Sequence, residues 1–138
     1  NKLQSLIDLK NLAVGEHEGR VELFLNSTTS NTLKGDVQTN SSSTSIKMVS
    51  LDSFSNNNSI DQCDLVKIDV DGIELEILMG ASELIKRCNP IFIVETNNDE
   101  LILDFFKKNN YEILDMALKP INSTHRLPPN IFCIPKTN

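Results

Sequence analysis

Three acidic residues, Asp69, Glu74 and Glu95, stand where apolar runs give way to turns, and a carboxylate so placed can take a proton from a hydroxyl, orient it, or pair with an amino group. Leu65, Val66 and Ile68 suit a strand buried on both faces, and after Gly72 the residues Ile73, Ile77, Leu78, Ala81, Leu84 and Ile85 recur at helical spacing. The period changes at Asp69-Val70-Asp71-Gly72. In open parallel sheets ligands gather outside the carboxyl ends of strands, and Asp69 falls at such an end, beside a helix N-terminus. Pro90 introduces a second apolar run, Ile91 to Val94, which ends at Glu95-Thr96-Asn97 on the same edge. Each acid also has a purely structural role open to it. Asp71-Gly72-Ile73-Glu74 has the form of a capping box, Glu95 suits a cap or a loop hydrogen bond, and Glu76 suits a solvated helix charge.

The elements that must hold these residues follow the order strand, flap, strand, helix, strand, helix, strand, strand. A helix tail is expected over Leu3 to Leu9 and a short strand near Leu12 to Val14, followed by a turn at Glu18-Gly19. Val21, Leu23 and Leu25 alternate with Glu22 and Phe24, and Ile46 to Leu51 supplies a strand that can pair with them as an antiparallel flap. Asn26 to Ser45 is rich in Ser, Thr and Asn and reads as a long surface loop, and Ser53 to Gln62 reads as a second polar run leading into the central strand. Leu101, Ile102, Phe105 and Phe106 form one helix face, Asn109 and Asn110 suit its left-handed end, and Tyr111 to Leu114 and Asn130 to Pro135 supply the last two strands, joined through Lys119 to Pro129.

Composition narrows the function classes. A net charge of -6 with scattered Lys and Arg argues against nucleic-acid binding, which needs cations to neutralise phosphates. No apolar run approaches the roughly 20 residues that cross a bilayer. Cys63, Cys88 and Cys133 are odd in number and widely spaced, so no disulfide framework and no metal ligand set is expected, and a reducing, cytoplasmic setting is the default.

The passage K-I-D-V-D-G-I-E-L-E-I-L-M-G-A, residues 67–81, resembles the K-I-D-V-E-G-x-E-x-x-V-L-x-G-A signature of the FkbM family of S-adenosylmethionine-dependent methyltransferases, with Asp71 in place of the usual Glu. Further landmarks follow in the family's order: Asn11-Leu12-Ala13-Val14-Gly15 then Glu18-Gly19, Val49-Ser50-Leu51-Asp52, Pro90 to Glu95, and Asn110-Tyr111 where Gly-Tyr is common. The resemblance implies an α/β fold with a Rossmann-like, mostly parallel sheet, a β-hairpin flap and an antiparallel last strand. It implies methyl transfer to a hydroxyl of a small molecule, sugar or lipid, with Asp69, Glu74 and Glu95 as catalytic candidates and Asn11, Ala13, Val14 and Asp69 toward the cofactor. The D-x-G-A-x-x-G loop that opens such domains is absent from this chain, so residues 1–138 are expected to form the C-terminal portion of one domain, incomplete at its N-terminus.

Three other classes compete. A truncated relative that no longer binds cofactor would keep this core pattern and act as an interaction module. Asp69 with Lys119-Pro120-Ile121 about fifty residues on suggests a phosphoacceptor receiver domain, but no acidic pair lies near the start and Gly72 follows too closely. Asp69-Val70-Asp71 matches the D-x-D of some glycosyltransferases, a triplet too short to weigh much.

Overall fold

A computed structural model describes residues 4–24, 43–70, 72–121 and 126–136. Two mixed sheets carry the architecture. In the first, β1 (Ala13–Val14) runs parallel to β3 (Ser43–Val49), and β3 pairs antiparallel with β2 (Gly19–Phe24) from Gly19↔Met48 to Phe24↔Ser43. This is the expected flap. Its polar connection, with Leu25, falls outside the described residues except for Ser43 to Ser45, which extend β3.

The second sheet has the order β4-β5-β7-β6, built from Leu65–Ile68, Ile91–Glu95, Asn130–Pro135 and Tyr111–Leu114. β4 and β5 are parallel, whereas β7 runs antiparallel to both β5 and β6. The antiparallel last strand is therefore present, but the two sheets are mixed rather than mostly parallel. Among the described residues β4 has a neighbouring strand on one side only, and Leu65 is 53% exposed, so this strand is not buried on both faces as its composition suggests.

Three local predictions give way to tertiary context. The helix tail over Leu3 to Leu9 is one 3-10 turn, Gln4–Leu6, with no buried residue: Leu6, Ile7 and Leu9 find nothing among the described residues to pack on. The first half of the polar run Ser53 to Gln62 belongs to a helix, α1 (Leu51–Asn57). Ser and Asn are poor helix formers because their side chains compete for the backbone. Here Ser50 caps the helix by accepting from the Ser53 amide, and the Arg87 guanidinium donates to Ser55 Oγ and Asn56 Oδ1. The single amphipathic helix expected after Gly72 is two, α2 (Glu74–Met79) and α3 (Ser82–Cys88).

The break is enforced at Gly80. A Cβ there would lie 2.5 Å from the Gly15 carbonyl oxygen and 3.0 Å from that of Glu16, so only glycine lets the α2–α3 corner seat on the end of β1. The Gly80 carbonyl, left over by α2, accepts from the Asp52 amide at 2.9 Å. Asp52 in turn caps α3, its carboxylate accepting from the Glu83 and Leu84 amides at 2.8–3.0 Å.

The core lies between the second sheet and α2, α3 and α4 (Glu100–Lys108), with Ile68, Leu78, Phe92, Val94, Phe106 and Ile131 almost wholly buried. Phe92, Phe106 and Tyr111 pack as tilted rings with centroids 5.2–5.9 Å apart, the preferred edge-on geometry. The Tyr111 hydroxyl donates to the Pro90 carbonyl at 3.0 Å. Asn110 closes α4 in the left-handed conformation as expected, whereas Asn109 does not share it.

Candidate functional site

Register brings two of the predicted acids together. Ile68 lies opposite Val94 in the parallel β4–β5 pair, so the residues that follow, Asp69 and Glu95, emerge side by side at the carboxyl ends. The Glu95 side chain hydrogen-bonds with Asp69. Lys67 sits two residues before Asp69, on the same face of the strand, and pairs with it through Nζ and Oδ2. The Lys67 ammonium, by hydrogen bond and by charge, holds the Asp69 carboxyl below its ordinary value, and the bond with Glu95 adds a smaller push in the same direction. Asp69 is half-exposed and ionised at neutral pH.

Glu74 belongs to the same edge but faces inward. It is 2% exposed, and its Oε1 accepts from the Gly72 amide at 3.3 Å and from Asn97 Nδ2 at 2.9 Å. Asn97 Nδ2 also reaches the Val70 carbonyl at 3.4 Å. Glu74 thus ties the turn after β4 to the turn after β5, and burial keeps its carboxylate from meeting a ligand directly. Helix α2 begins at Glu74 with Ile73 in the cap position and no side-chain cap; Asp71, the first residue of the expected capping box, lies outside the described residues. Gly72 adopts φ 93°, a conformation that side chains rarely take, and so permits the turn.

The turn after β5 holds Asn97 and Asn98 both at positive φ, 44° and 61°. Asparagine tolerates this conformation better than other residues with side chains. The pair is fixed from both sides: Thr96 Oγ1 donates to the Pro128 carbonyl at 2.8 Å, and Asn98 Oδ1 accepts from the Leu127 amide at 3.1 Å. A cleft of about 660 Å3 opens beside this turn, with Glu95, Asn98, Asp115, Arg126 and Pro129 on its walls. That volume lies within the roughly 300–1,000 Å3 of small-molecule sites.

The other sequence candidates lie apart. Ala13 and Val14 form β1, in the first sheet, and Val14 packs against the core. Asn11 precedes them and is exposed. Among the described residues no hydrogen bond joins these three to Asp69. Sequence reasoning missed Lys67, Asn97 and Arg126. Period-two alternation could have placed Lys67 beside Asp69, but nothing local announces that Arg126 shares a cleft with Glu95.

Residues 1–113 match the methyltransferase FkbM domain family. No curated protein matches the chain. Among solved structures it is similar to methyltransferase FkbM from Methylobacillus flagellatus KT, with 18% identity and a TM-score of 0.55 over 95% of this chain and 29% of that one. The chain therefore spans under a third of that protein, and at this identity the likeness is one of fold.

Proposed function

This chain belongs to the methyltransferase FkbM domain family, and from that premise we propose that the protein transfers a methyl group from S-adenosylmethionine to a hydroxyl oxygen, with Asp69 and Glu95 at the reacting edge. The observation that carries this proposal is the juxtaposition of the two carboxyl groups at neighbouring parallel strand ends, one ionised and one opening on the cleft.

The bound cofactor supplies a methyl group already made electrophilic by its sulfonium. Little covalent work is left to the protein, and rate comes from alignment of the acceptor and removal of its proton. Asp69, ionised and held by Lys67, orients the acceptor hydroxyl or accepts its proton, and Glu95 shares that proton. Glu74 is a positioning residue in this scheme, acting through Asn97 on the turn that carries Glu95.

The donor set fits the cofactor in part. An exposed carboxylate at Asp69 suits its amino group, and the exposed Asn11 amide beside half-buried Ala13 and Val14 suits a flat heterocycle. Acceptors within this proposal are small molecules, sugars or lipids; a net charge of -6 disfavours nucleic acid. Among the described residues no helix is long and apolar enough to cross a membrane, and the three cysteines are free. We place the reaction in the cytoplasm.

A second proposal, an interaction module without turnover, draws on the separation of β1 from Asp69. Calorimetry with S-adenosylmethionine separates the two. The enzyme binds it, and Asp69→Asn lowers transfer of labelled methyl to hydroxyl acceptors by about 10²-fold or more. A folded protein that binds no cofactor leaves the interaction module.

A further inference from the structure

The cleft beside Glu95 carries information about the acceptor of the proposed methyl transfer, and any acceptor class assigned to it rests on that proposal. Its walls hold groups with unused hydrogen-bonding capacity. Arg126 makes no ion pair or hydrogen bond among the described residues, and its guanidinium presents five donors. Asp115 accepts at Oδ1 from the Ala117 and Lys119 amides, which leaves Oδ2 available. Asn98 accepts at Oδ1 from Leu127, which leaves its amide nitrogen available. Pro120 and Pro129 supply apolar surface to the same cleft, and among the described residues no aromatic side chain lines it.

Each ligand class meets this wall differently. An acyl chain or a flat aromatic ring would strip water from Asp115 and Arg126 without replacing its hydrogen bonds, which is costly for charged groups. A carboxylate or phosphate would find Arg126 but would also face Asp115 and Glu95, and like charges repel at short range. A neutral ring bearing several hydroxyls satisfies all of them. Each hydroxyl both donates and accepts, so it can give to Asp115 and receive from Asn98 and Arg126, while the C–H face of the ring lies on proline.

We propose that this cleft binds a neutral polyhydroxylated ring, a sugar or cyclitol, and presents one of its hydroxyls to Glu95 and Asp69.

The test is binding to the 138-residue chain without cofactor, followed by amide chemical shifts. The probes are the methyl glycosides of glucose, galactose, mannose and fucose, together with myo-inositol. Octanoate, catechol, glucuronate and glucose 6-phosphate serve as comparisons. At least one neutral polyol should produce saturable shifts centred on Thr96, Asn98 and Leu127, at concentrations tenfold or more below any comparison compound. Arg126→Ala, an exposed change, should weaken that binding at least fivefold with the rest of the spectrum unmoved. Shifts from none of the polyols, or stronger binding by the acyl, aromatic or anionic probes, overturn the proposal. Because S-adenosylmethionine is absent, loss of polyol binding and loss of cofactor binding are separate results: the first sinks this acceptor class, the second sinks the methyl-transfer proposal.

Discussion

Asp52 and Asp69 occupy comparable places, each just beyond a strand of a parallel pair, yet the fold treats them in opposite ways. Asp52, after β3, gives its carboxylate oxygens to the Glu83 and Leu84 amides and its own amide to the Gly80 carbonyl. Its carboxylate bonds to backbone amides, and the effect is to lock α1, α3 and the end of β1 into one corner. Asp69, after β4, meets the side chains of Lys67 and Glu95 among the described residues and stays half-exposed. An acid committed to the backbone is architecture; one held by other mobile charges at an open sheet edge keeps the freedom to exchange partners with a ligand.

The largest effect is expected at the Asp52 corner. Gly80→Ala drives a Cβ against the Gly15 carbonyl, a backbone atom that cannot swing away, and should cost about 3 kcal/mol, at the upper end for overpacking. Urea denaturation reads this directly. A loss under about 0.5 kcal/mol, the scale of an ordinary surface change, would mean that the corner is loose and the contrast with Asp69 is false. Next comes Asp52→Ala, which removes the cap of α3 and should cost about 1–2 kcal/mol by the same measurement.

The smallest effect belongs to the exposed edge. The Asp69 carboxyl is depressed in the folded state, so its contribution to stability is present above the ordinary carboxylate range and is lost as pH falls through the lowered value. Lys67→Met removes the main cause and should move the Asp69 titration back up toward an ordinary carboxylate, seen in carbon-detected NMR, with stability at neutral pH almost unchanged. An unshifted titration would assign the depression to Glu95 instead.

The contrast between the two acids was only half legible in the sequence. The apolar runs of β4 and β5 place Asp69 and Glu95 at strand ends because burial dictates hydrophobic content, and that signal is local. The role of Asp52 depends on amides 31 and 32 positions away, and the break at Gly80 depends on a carbonyl 65 positions back, so neither leaves a nearby pattern. Helix α1 was hidden for a related reason: its Ser- and Asn-rich sequence reads as a loop until Arg87 arrives from α3. Likewise the cleft is assembled from the turn after β5 and the connection into β7, whose meeting is fixed by the pairing of Glu95 with Asn130.

The most direct test exchanges the same atom in both acids. Asp52→Asn and Asp69→Asn are compared for urea stability and for methyl transfer from S-adenosylmethionine in the full protein. Asp52→Asn should lower stability, with transfer by the folded fraction retained. Asp69→Asn should leave stability nearly unchanged, as an ordinary surface substitution does, and reduce transfer about 10²-fold or more. Full activity in a stable Asp69→Asn protein would contradict the account, because the carboxylate at the open edge would then be neither base nor ligand.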